Sequence, residues 1–136
     1  MSKILNVAKK DFPQIITLLK KCDLDFKRRA SDLEQAKKIS SVFLVYKDKN
    51  KVIGIIRAIF DGHYCMLFDL AVDPKFRKQN IGKLLMEEAE KKLKKQGAEY
   101  VFLNSSDKAV SFYKKLGYKK PKTNPLIKYL KKKRKH

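Results

Sequence analysis

Three β-rich runs stand next to one another in the middle of the chain, separated only by short polar turns. They are SVFLVYKD (41–48), KVIGIIRAIF (51–60) and YCMLFDLAV (64–72). The connections KDKN and DGH have the length and polarity of hairpin turns, so the strands should run antiparallel. Pro74 ends the third strand because proline has no amide to donate. The centre of the chain is therefore predicted to be an antiparallel meander.

Helical patterns precede and follow this meander. A short strand is predicted at 3–8, followed by helices at 11–22 and 31–40. We expect Asp11 to cap the first helix, and Ser31 to cap the second in a capping box with Glu34.

Behind the meander, apolar residues recur at helical spacing from Ile81, and Gly97 should end that helix. A strand at 98–105, a helix near 106–116 that ends at Gly117, and two short strands complete the order. The two short strands are YKKP (118–121) and PLIKYLKK (125–132). Gly54, inside a strand, marks a bend or a close approach of backbone.

This order predicts a mixed α/β fold (α+β mixed). We expect a central mixed, mostly antiparallel sheet of about seven strands flanked by four helices. A chain of 136 residues suits one domain. The domain should span residues 1–130, with a basic tail at 131–136.

The formal net charge of +20 suggests a polyanionic partner, but the charge is unevenly distributed. Residues 61–116 hold 11 Lys or Arg against 8 Asp or Glu, whereas residues 117–136 hold 9 against none. Nucleic acid binding through the tail is possible but not favoured. No run is long and apolar enough for a membrane span, and MSKILNVAKKDFPQ lacks the core of a signal peptide, so we expect a cytoplasmic protein without a membrane partner.

The cysteines and histidines form no recognisable metal-ligand spacing. Cys22 and Cys65 lie far apart, and His63 and His136 complete no motif with them. We therefore predict neither a metal site nor a disulfide.

The stretch FRKQNIGKLL (76–85) joins a basic loop directly to a helix. The first amides of a helix lack intrahelical acceptors and carry partial positive charge, which suits an anion such as a pyrophosphate. Arg77, Lys78 and Lys83 add formal charge, while Asn80 and Gly82 tolerate backbone conformations that bulkier residues avoid. The alternative is an ordinary solvated basic loop.

This stretch is neither a Walker loop nor a Gly-x-Gly-x-x-Gly fingerprint. LFDLAVDPKFRKQNIGKLL instead resembles the GNAT superfamily of acyl-CoA-dependent N-acetyltransferases, in which a strand leads into Arg/Gln-x-x-Gly-x-Gly/Ala. Arg77 and Gly82 match the ends of that motif, and Asn80 replaces its first glycine. Downstream, KAVSFYKKLGY resembles the family's Ala-x-x-x-Tyr-x-x-x-Gly-Phe/Tyr segment.

The resemblance implies a single GNAT-like domain that binds acetyl-CoA. Strand residues would pair with the pantetheine arm, loop and helix residues would hold the pyrophosphate, and residues near the second motif would complete the coenzyme A site. Ser106 stands where many members have an Asn that contacts the cofactor. The implied cofactor-binding residues are Leu70, Ala71, Val72, Arg77, Lys78, Gln79, Asn80, Ile81, Gly82, Lys83, Ser106 and Phe112.

Two residues are candidates for catalysis. Tyr113 matches the family's tyrosine, whose hydroxyl lies near the thioester sulfur and would stabilise or protonate the departing thiolate; the alternative role is a core aromatic. Asp69, in an otherwise apolar strand, is the candidate base, directly or through water; the alternative is a strand-end or capping contact. Nothing near Cys65 activates it as an acyl carrier, so direct transfer in a ternary complex is expected.

The resemblance implies a transferase that acetylates a primary amine of a small molecule or of a protein, as a monomer or homodimer. The acceptor pocket would lie between the first two helices and the C-terminal strands. Aromatic residues would line it or simply fill the core: Phe26, Tyr64, Tyr118 and Tyr129. A non-catalytic nucleic-acid- or ribosome-binding module on the same fold is the alternative function.

Overall fold

The chain folds into two compact units. The computed structural model describes residues 2–24 and 27–131. The first unit is Met1–Asn104 and the second is Ser105–His136. Of the predicted basic tail, residues 132–136 lie outside the described residues.

One mixed sheet organises the first unit. Its five strands stand in the order β1-β2-β3-β4-β5. β1 to β4 pair antiparallel and β5 pairs parallel with β4, so the mostly antiparallel character is as predicted. The bounds are Ser2–Asn6 for β1, Val42–Asp48 for β2, Lys51–Phe60 for β3, Cys65–Val72 for β4 and Phe102–Leu103 for β5.

The prediction of about seven strands is wrong, because the sheet has five strands among the described residues. Neither YKKP nor the described part of PLIKYLKK forms a strand, and the run 98–105 contributes only two strand residues. Leu126 and Ile127 are adjacent, so they cannot share one face of a strand, and they stand between Pro125 and Lys128. Their side chains are 95% and 77% exposed, which leaves no buried face to drive pairing.

Four α-helices occur among the described residues. The first unit contains α1 (Phe12–Lys21), α2 (Ala30–Ile39) and α3 (Ile81–Gln96), and the second contains α4 (Val110–Lys115). α3 ends at Gly97 in a left-handed conformation, as its sequence predicted. Within the described ranges, none of these helices combines the length and apolar character needed to cross a bilayer.

Both predicted N-terminal caps are wrong. Asp11 precedes α1 but makes no side-chain bond to the helix; its carboxylate lies 2.7 Å from the Nζ of Lys47 and accepts the Ala8 amide at 2.9 Å. A buried ammonium offers Asp11 a stronger, charge-assisted partner than a helix amide. α2 begins before Ser31, and the carboxylate of Asp32 accepts the Arg29 amide at 2.8 Å instead.

Helices cover both faces of the sheet. On one face, α1 and α2 enclose a core that includes Ile15, Leu19, Leu33 and Ile55. Gly54 is the neighbour of Ile55 and faces the other way, toward α3. A Cβ built on Gly54 would lie 3.0 Å from Leu85 Cδ1 and 3.1 Å from Ile81 Cγ2 of α3. The predicted close approach at Gly54 is therefore confirmed.

Because this contact leaves no room for a side chain, Gly54→Val should lower the free energy of unfolding by about 1–3 kcal/mol. Valine favours strands more than glycine does, so a loss must come from the steric contact with α3. Urea denaturation measures the change, and Gly54→Ala, which adds only the Cβ, should lose less. Unchanged or increased stability of Gly54→Val would contradict the close approach.

Candidate functional site

β4 has an unpaired edge along its second half. On one side it pairs with β3 as far as Val72, but on the other side β5 accompanies it only at Met66 and Leu67. Among the described residues, the stretch 68–72 therefore has no strand partner on the β5 side. The predicted cofactor residues Leu70, Ala71 and Val72 lie in this stretch, where an extended ligand can pair with strand backbone.

A β-bulge at Phe68 changes which face of the sheet the strand residues occupy. Arg57 pairs with Asp69 but the next residue of β3 pairs with Leu67, so Phe68 has no partner in β3. The extra residue inverts the side-chain alternation of β4. As a result Asp69 lies on the α1 and α2 face, beside Arg57.

Asp69 is held by two arginines in what we call the arginine–aspartate cluster (Arg28, Arg57 and Asp69). The Nη1 and Nη2 of Arg28 donate to the two carboxylate oxygens at 2.8 and 2.7 Å, and the Nε of Arg57 donates at 2.9 Å. The side chains are 20%, 12% and 4% exposed for Arg28, Arg57 and Asp69. The cluster thus places two cations around one buried anion.

The surroundings of Asp69 keep it ionised. Burial raises its pKa, but hydrogen bonds and charges from Arg28 and then Arg57 outweigh burial and bring the pKa below its ordinary value. A carboxylate with a lowered pKa is a weak proton acceptor. This environment favours a role in positioning the two arginines, and the base role of Asp69 stays a prediction.

Arg57 also makes contacts beyond the cluster. Its Nη1 donates to the Ser40 hydroxyl at 3.2 Å, and its guanidinium carbon lies 4.9 Å from the centre of the Phe68 ring. Phe68 is 51% exposed, so the bulge presents an aromatic ring to solvent above a fixed cation. Arg57 therefore joins β4 to the end of α2.

The segment after β4, residues 73–80, is named here the basic loop. It contains a 3-10 turn, Pro74–Gln79, and ends at Asn80, whose φ of 61° and ψ of 18° are left-handed. α3 begins at the next residue, and the amide of Leu84 makes the first helical bond, to the carbonyl of Asn80. The amides at 81–83 precede that bond and lack an acceptor in the helix. Asn80 thus adopts a left-handed backbone conformation, which its residue type was predicted to tolerate.

The predicted residues of the basic loop and of the first turn of α3 differ in exposure. Arg77 is exposed, but its Nε donates to the Val72 carbonyl at 3.1 Å, so its side chain turns back toward β4. Ile81 is buried, so only its backbone is available to a ligand. Gly82 is half-buried, and four further predicted residues are exposed: Lys78, Gln79, Asn80 and Lys83.

The second unit carries the remaining predicted residues. Tyr113 is half-buried in α4, with its ring 5.1 Å from that of Phe112 and 5.8 Å from that of Tyr118. Burial raises the pKa of the Tyr113 hydroxyl, which therefore stays protonated at neutral pH. Ser106 is exposed and precedes a short 3-10 turn without capping it through its side chain.

The proposed pocket aromatics are mostly exposed. Tyr64 and Tyr129 are 61% and 49% exposed, and Tyr118 is half-buried. Phe26 lies outside the described residues. A cavity of about 240 Å³ lies in the first unit, beside α1, and none of the predicted site residues lines it; its walls are Pro13, Gln14, Thr17, Leu18, Lys21, Lys51, Val52 and Asp73.

Neither cysteine is placed to act as an acyl carrier. Cys65 is 1% exposed and burial raises the pKa of its thiol, so it is protonated and inaccessible at neutral pH. Cys22 is half-buried, and its thiol donates to the Val72 carbonyl at 3.4 Å. No group of three His, Cys, Asp or Glu residues converges as a metal site within 2–24 and 27–131.

The two arginines of the cluster were not predicted from the sequence, although the sequence contains a signal for one of them, Arg57. Arg57 is the one charged residue between Val52 and Phe60, and Asp69 is the one charge in β4. Lone opposite charges in neighbouring apolar strands indicate a buried pair. Arg28 stands in a charged stretch, KRR, and nothing in its local sequence distinguishes it.

Comparison with known proteins agrees with this architecture. The sequence profile of the acetyltransferase (GNAT) domain matches residues 23–128, well over half of the chain. A GNAT-family acetyltransferase from Streptococcus pneumoniae has a similar structure, with 27% identity, a TM-score of 0.77 and 98% of each chain covered.

Two more distant structures share the fold. One is the PaiA N-acetyltransferase of Thermoplasma acidophilum in complex with coenzyme A, with 22% identity, a TM-score of 0.81, and 91% of this chain and 93% of that chain covered. The other is the glucosamine-6-phosphate N-acetyltransferase of Arabidopsis thaliana, with 22% identity, a TM-score of 0.72 and coverage of 96% and 99%. With the profile match and this fold, the chain belongs to the GNAT family of acetyltransferases.

Proposed function

We propose that this protein is an acetyl-CoA-dependent N-acetyltransferase that transfers an acetyl group to a primary amine of a small molecule or a protein. One observation carries the proposal: the unpaired edge of β4 continues directly into the basic loop and the amino end of α3. An extended strand edge suits the amides of a pantetheine arm, and free helix amides suit a diphosphate. Family membership supports the same pairing of cofactor and fold.

The residues present fit coenzyme A in a simple order along the chain. The backbone of 70–72 would pair with the pantetheine arm, and the amides around Asn80 and at 81–83 would hold the diphosphate. The exposed side chains of Lys78 and Lys83 add positive charge beside those amides. The family resemblance also implies contacts of Ser106 and Phe112 with coenzyme A.

The chemistry requires a neutral amine nucleophile. Bound acetyl-CoA supplies the acetyl group as a thioester. An ammonium with a pKa of ~10.4 is only a few parts in ten thousand neutral at pH 7, a cost of roughly 4–5 kcal/mol. Asp69 is the candidate base for this proton, directly or through water; its alternative role is to position Arg28 and Arg57.

The acetyl group passes directly from the thioester to the amine. The amine nitrogen bonds to the acetyl carbon, the carbon–sulfur bond breaks, and the nitrogen gives up a proton to solvent. Tyr113, protonated because burial raises its pKa, donates a hydrogen bond or its proton to the departing thiolate. Because Cys65 is buried, its thiol is not available to carry the acetyl group, and the transfer is proposed without an acyl-enzyme on it.

Cofactor binding can be measured before any acceptor is known. Acetyl-CoA at about 100 times its Kd should stabilise the folded protein by about 2.7 kcal/mol, which a thermal-shift experiment detects as a higher Tm. Asn80→Val should abolish most of this shift, because a β-branched residue resists the left-handed conformation that Asn80 adopts. Asn80→Gly is the matched control and should keep the shift.

A panel of primary amines, followed by release of free thiol, then tests the transfer. Absence of any thermal shift with acetyl-CoA would contradict the proposal at its first step. A clear shift without thiol release for any amine would favour the non-catalytic alternative.

A further inference from the structure

The carboxyl end of α1 is bonded to the start of the basic loop. The Nζ of Lys21 lies 3.1 Å from Oδ2 of Asp73. One residue later, the thiol of Cys22 donates to the Val72 carbonyl at 3.4 Å, and the Nη2 of Arg77 lies 3.5 Å from the Cys22 sulfur. Three polar contacts thus join segments that are about fifty residues apart.

Asp73 is fixed on every side. Its backbone amide donates to the Ile53 carbonyl at 2.8 Å, which continues the contact with β3, and its carbonyl accepts the Phe76 amide at 2.8 Å. Its Oδ1 accepts the Lys75 amide at 3.0 Å, while its Oδ2 faces Lys21. The side chain is 3% exposed. One carboxylate therefore begins the turn of the basic loop and ties that turn to α1.

We propose that Asp73 and Lys21 form a positioning pair that holds the basic loop in the conformation that binds coenzyme A. The proposal rests on the proposed function, because it assigns the pair a role in the same cofactor site. Without the ammonium of Lys21, the buried carboxylate of Asp73 loses its ionic partner and turns toward water, and the bond to the Lys75 amide weakens. The amides of the basic loop would then no longer point together toward the diphosphate.

The charge state of Asp73 agrees with this role. Burial raises its pKa, but the Lys75 amide and then the hydrogen bond and charge of Lys21, followed by the charge of Lys51, bring the pKa below its ordinary value. Asp73 is thus ionised throughout the neutral pH range. The pair remains formed under ordinary assay conditions.

A second pair in the same unit provides a control that is more deeply buried, since the side chain of Lys21 is 40% exposed. Lys47 and Asp11 also join a lysine to a nearly buried aspartate, at 2.7 Å, and their side chains are 11% and 2% exposed. This pair connects β2 to the start of α1 and shares no residue with the basic loop. Breaking it should lower stability without changing how the loop binds coenzyme A.

The experiment compares Lys21→Met and Lys47→Met by calorimetric titration with coenzyme A. Lys21→Met should raise the Kd about tenfold, and Lys47→Met should change it less than twofold even if its Tm falls further. In assays, Lys21→Met should raise the KM for acetyl-CoA while kcat and the KM of the amine stay within twofold. Equal Kd values for wild type and Lys21→Met would overturn the proposal.

A double-mutant cycle with Asp73→Asn separates positioning from direct contact of Lys21 with a phosphate. If Lys21 acts through Asp73, adding Lys21→Met to Asp73→Asn raises the Kd no further. If the two effects multiply, Lys21 binds the cofactor itself and the positioning role is wrong. Failure of wild type to bind coenzyme A would instead refute the proposed function, so the two failures are distinguishable.

Discussion

Tyr113→Phe should reduce kcat about 100-fold while leaving the Kd for acetyl-CoA unchanged. The substitution removes one hydroxyl. A positioned general acid raises the rate of the chemical step by about 100-fold and does so in the transition state, without strengthening cofactor binding. The ring contacts with Phe112 and Tyr118 remain, so the fold of α4 is kept. Steady-state kinetics with an active amine and calorimetry with acetyl-CoA measure the two quantities separately.

The matched control removes a tyrosine hydroxyl elsewhere. Tyr100 is 40% exposed and pairs edge-on with Phe102, and Tyr100→Phe should leave kcat within a factor of two. Burial raises the pKa of Tyr113 above its ordinary value, so loss of its proton should not reduce wild-type kcat between pH 7 and pH 9. A kcat for Tyr113→Phe within threefold of wild type would exclude the acid role and leave Tyr113 as a core aromatic.

Local sequence patterns predicted the central part of the fold well. β3 occupies 51–60 as predicted, and α3 begins at Ile81 and ends before Gly97. Short turns, helical periodicity and residues that tolerate positive φ act within a few residues, so they can be read directly from the chain. The left-handed turn at Asn80 belongs to the same class of signal.

Contacts between distant segments could not be predicted in this way. Arg28 lies 41 residues from Asp69, and their bond depends on the bulge at Phe68, which shifts Asp69 to the face beneath α2. No local propensity encodes such a bulge here. Lys21 and Asp73, 52 residues apart, were missed for the same reason.

The predictions of the helix caps and of the last two strands were wrong for other reasons. Asp11 has a helix-capping residue type, but a buried lysine competes for its carboxylate. PLIKYLKK has apolar residues, but their spacing gives no single face to bury. At Asp11 a local preference was outweighed by tertiary context, whereas in PLIKYLKK the local pattern itself does not favour a strand.

Asp69→Ala should give the largest loss of stability, about 3–5 kcal/mol in the free energy of unfolding. Arg28 and Arg57 are 20% and 12% exposed, and the alanine would leave both guanidinium groups without their anion. Urea denaturation measures the loss. Replacing all three, as Arg28→Met, Arg57→Met and Asp69→Leu, should recover much of it, since an apolar cluster has no charge to desolvate. A loss below 1 kcal/mol for Asp69→Ala would show that the ion pairs are not formed.

Asp69→Asn separates the two roles assigned to this carboxylate. The folded pKa lies below the unfolded value of about 3.9, so the charge of Asp69 stabilises the protein above that pH and the contribution is lost as pH falls through the folded pKa. The variant should therefore lose less stability than wild type as the pH falls.

If Asp69 positions the arginines, Asp69→Asn and Arg28→Met should both raise the KM of the amine and largely keep kcat. If Asp69 is the base, only Asp69→Asn should lower kcat, by about 100-fold or more, because Arg28→Met leaves the carboxylate in place and removes one of the groups that depress its pKa.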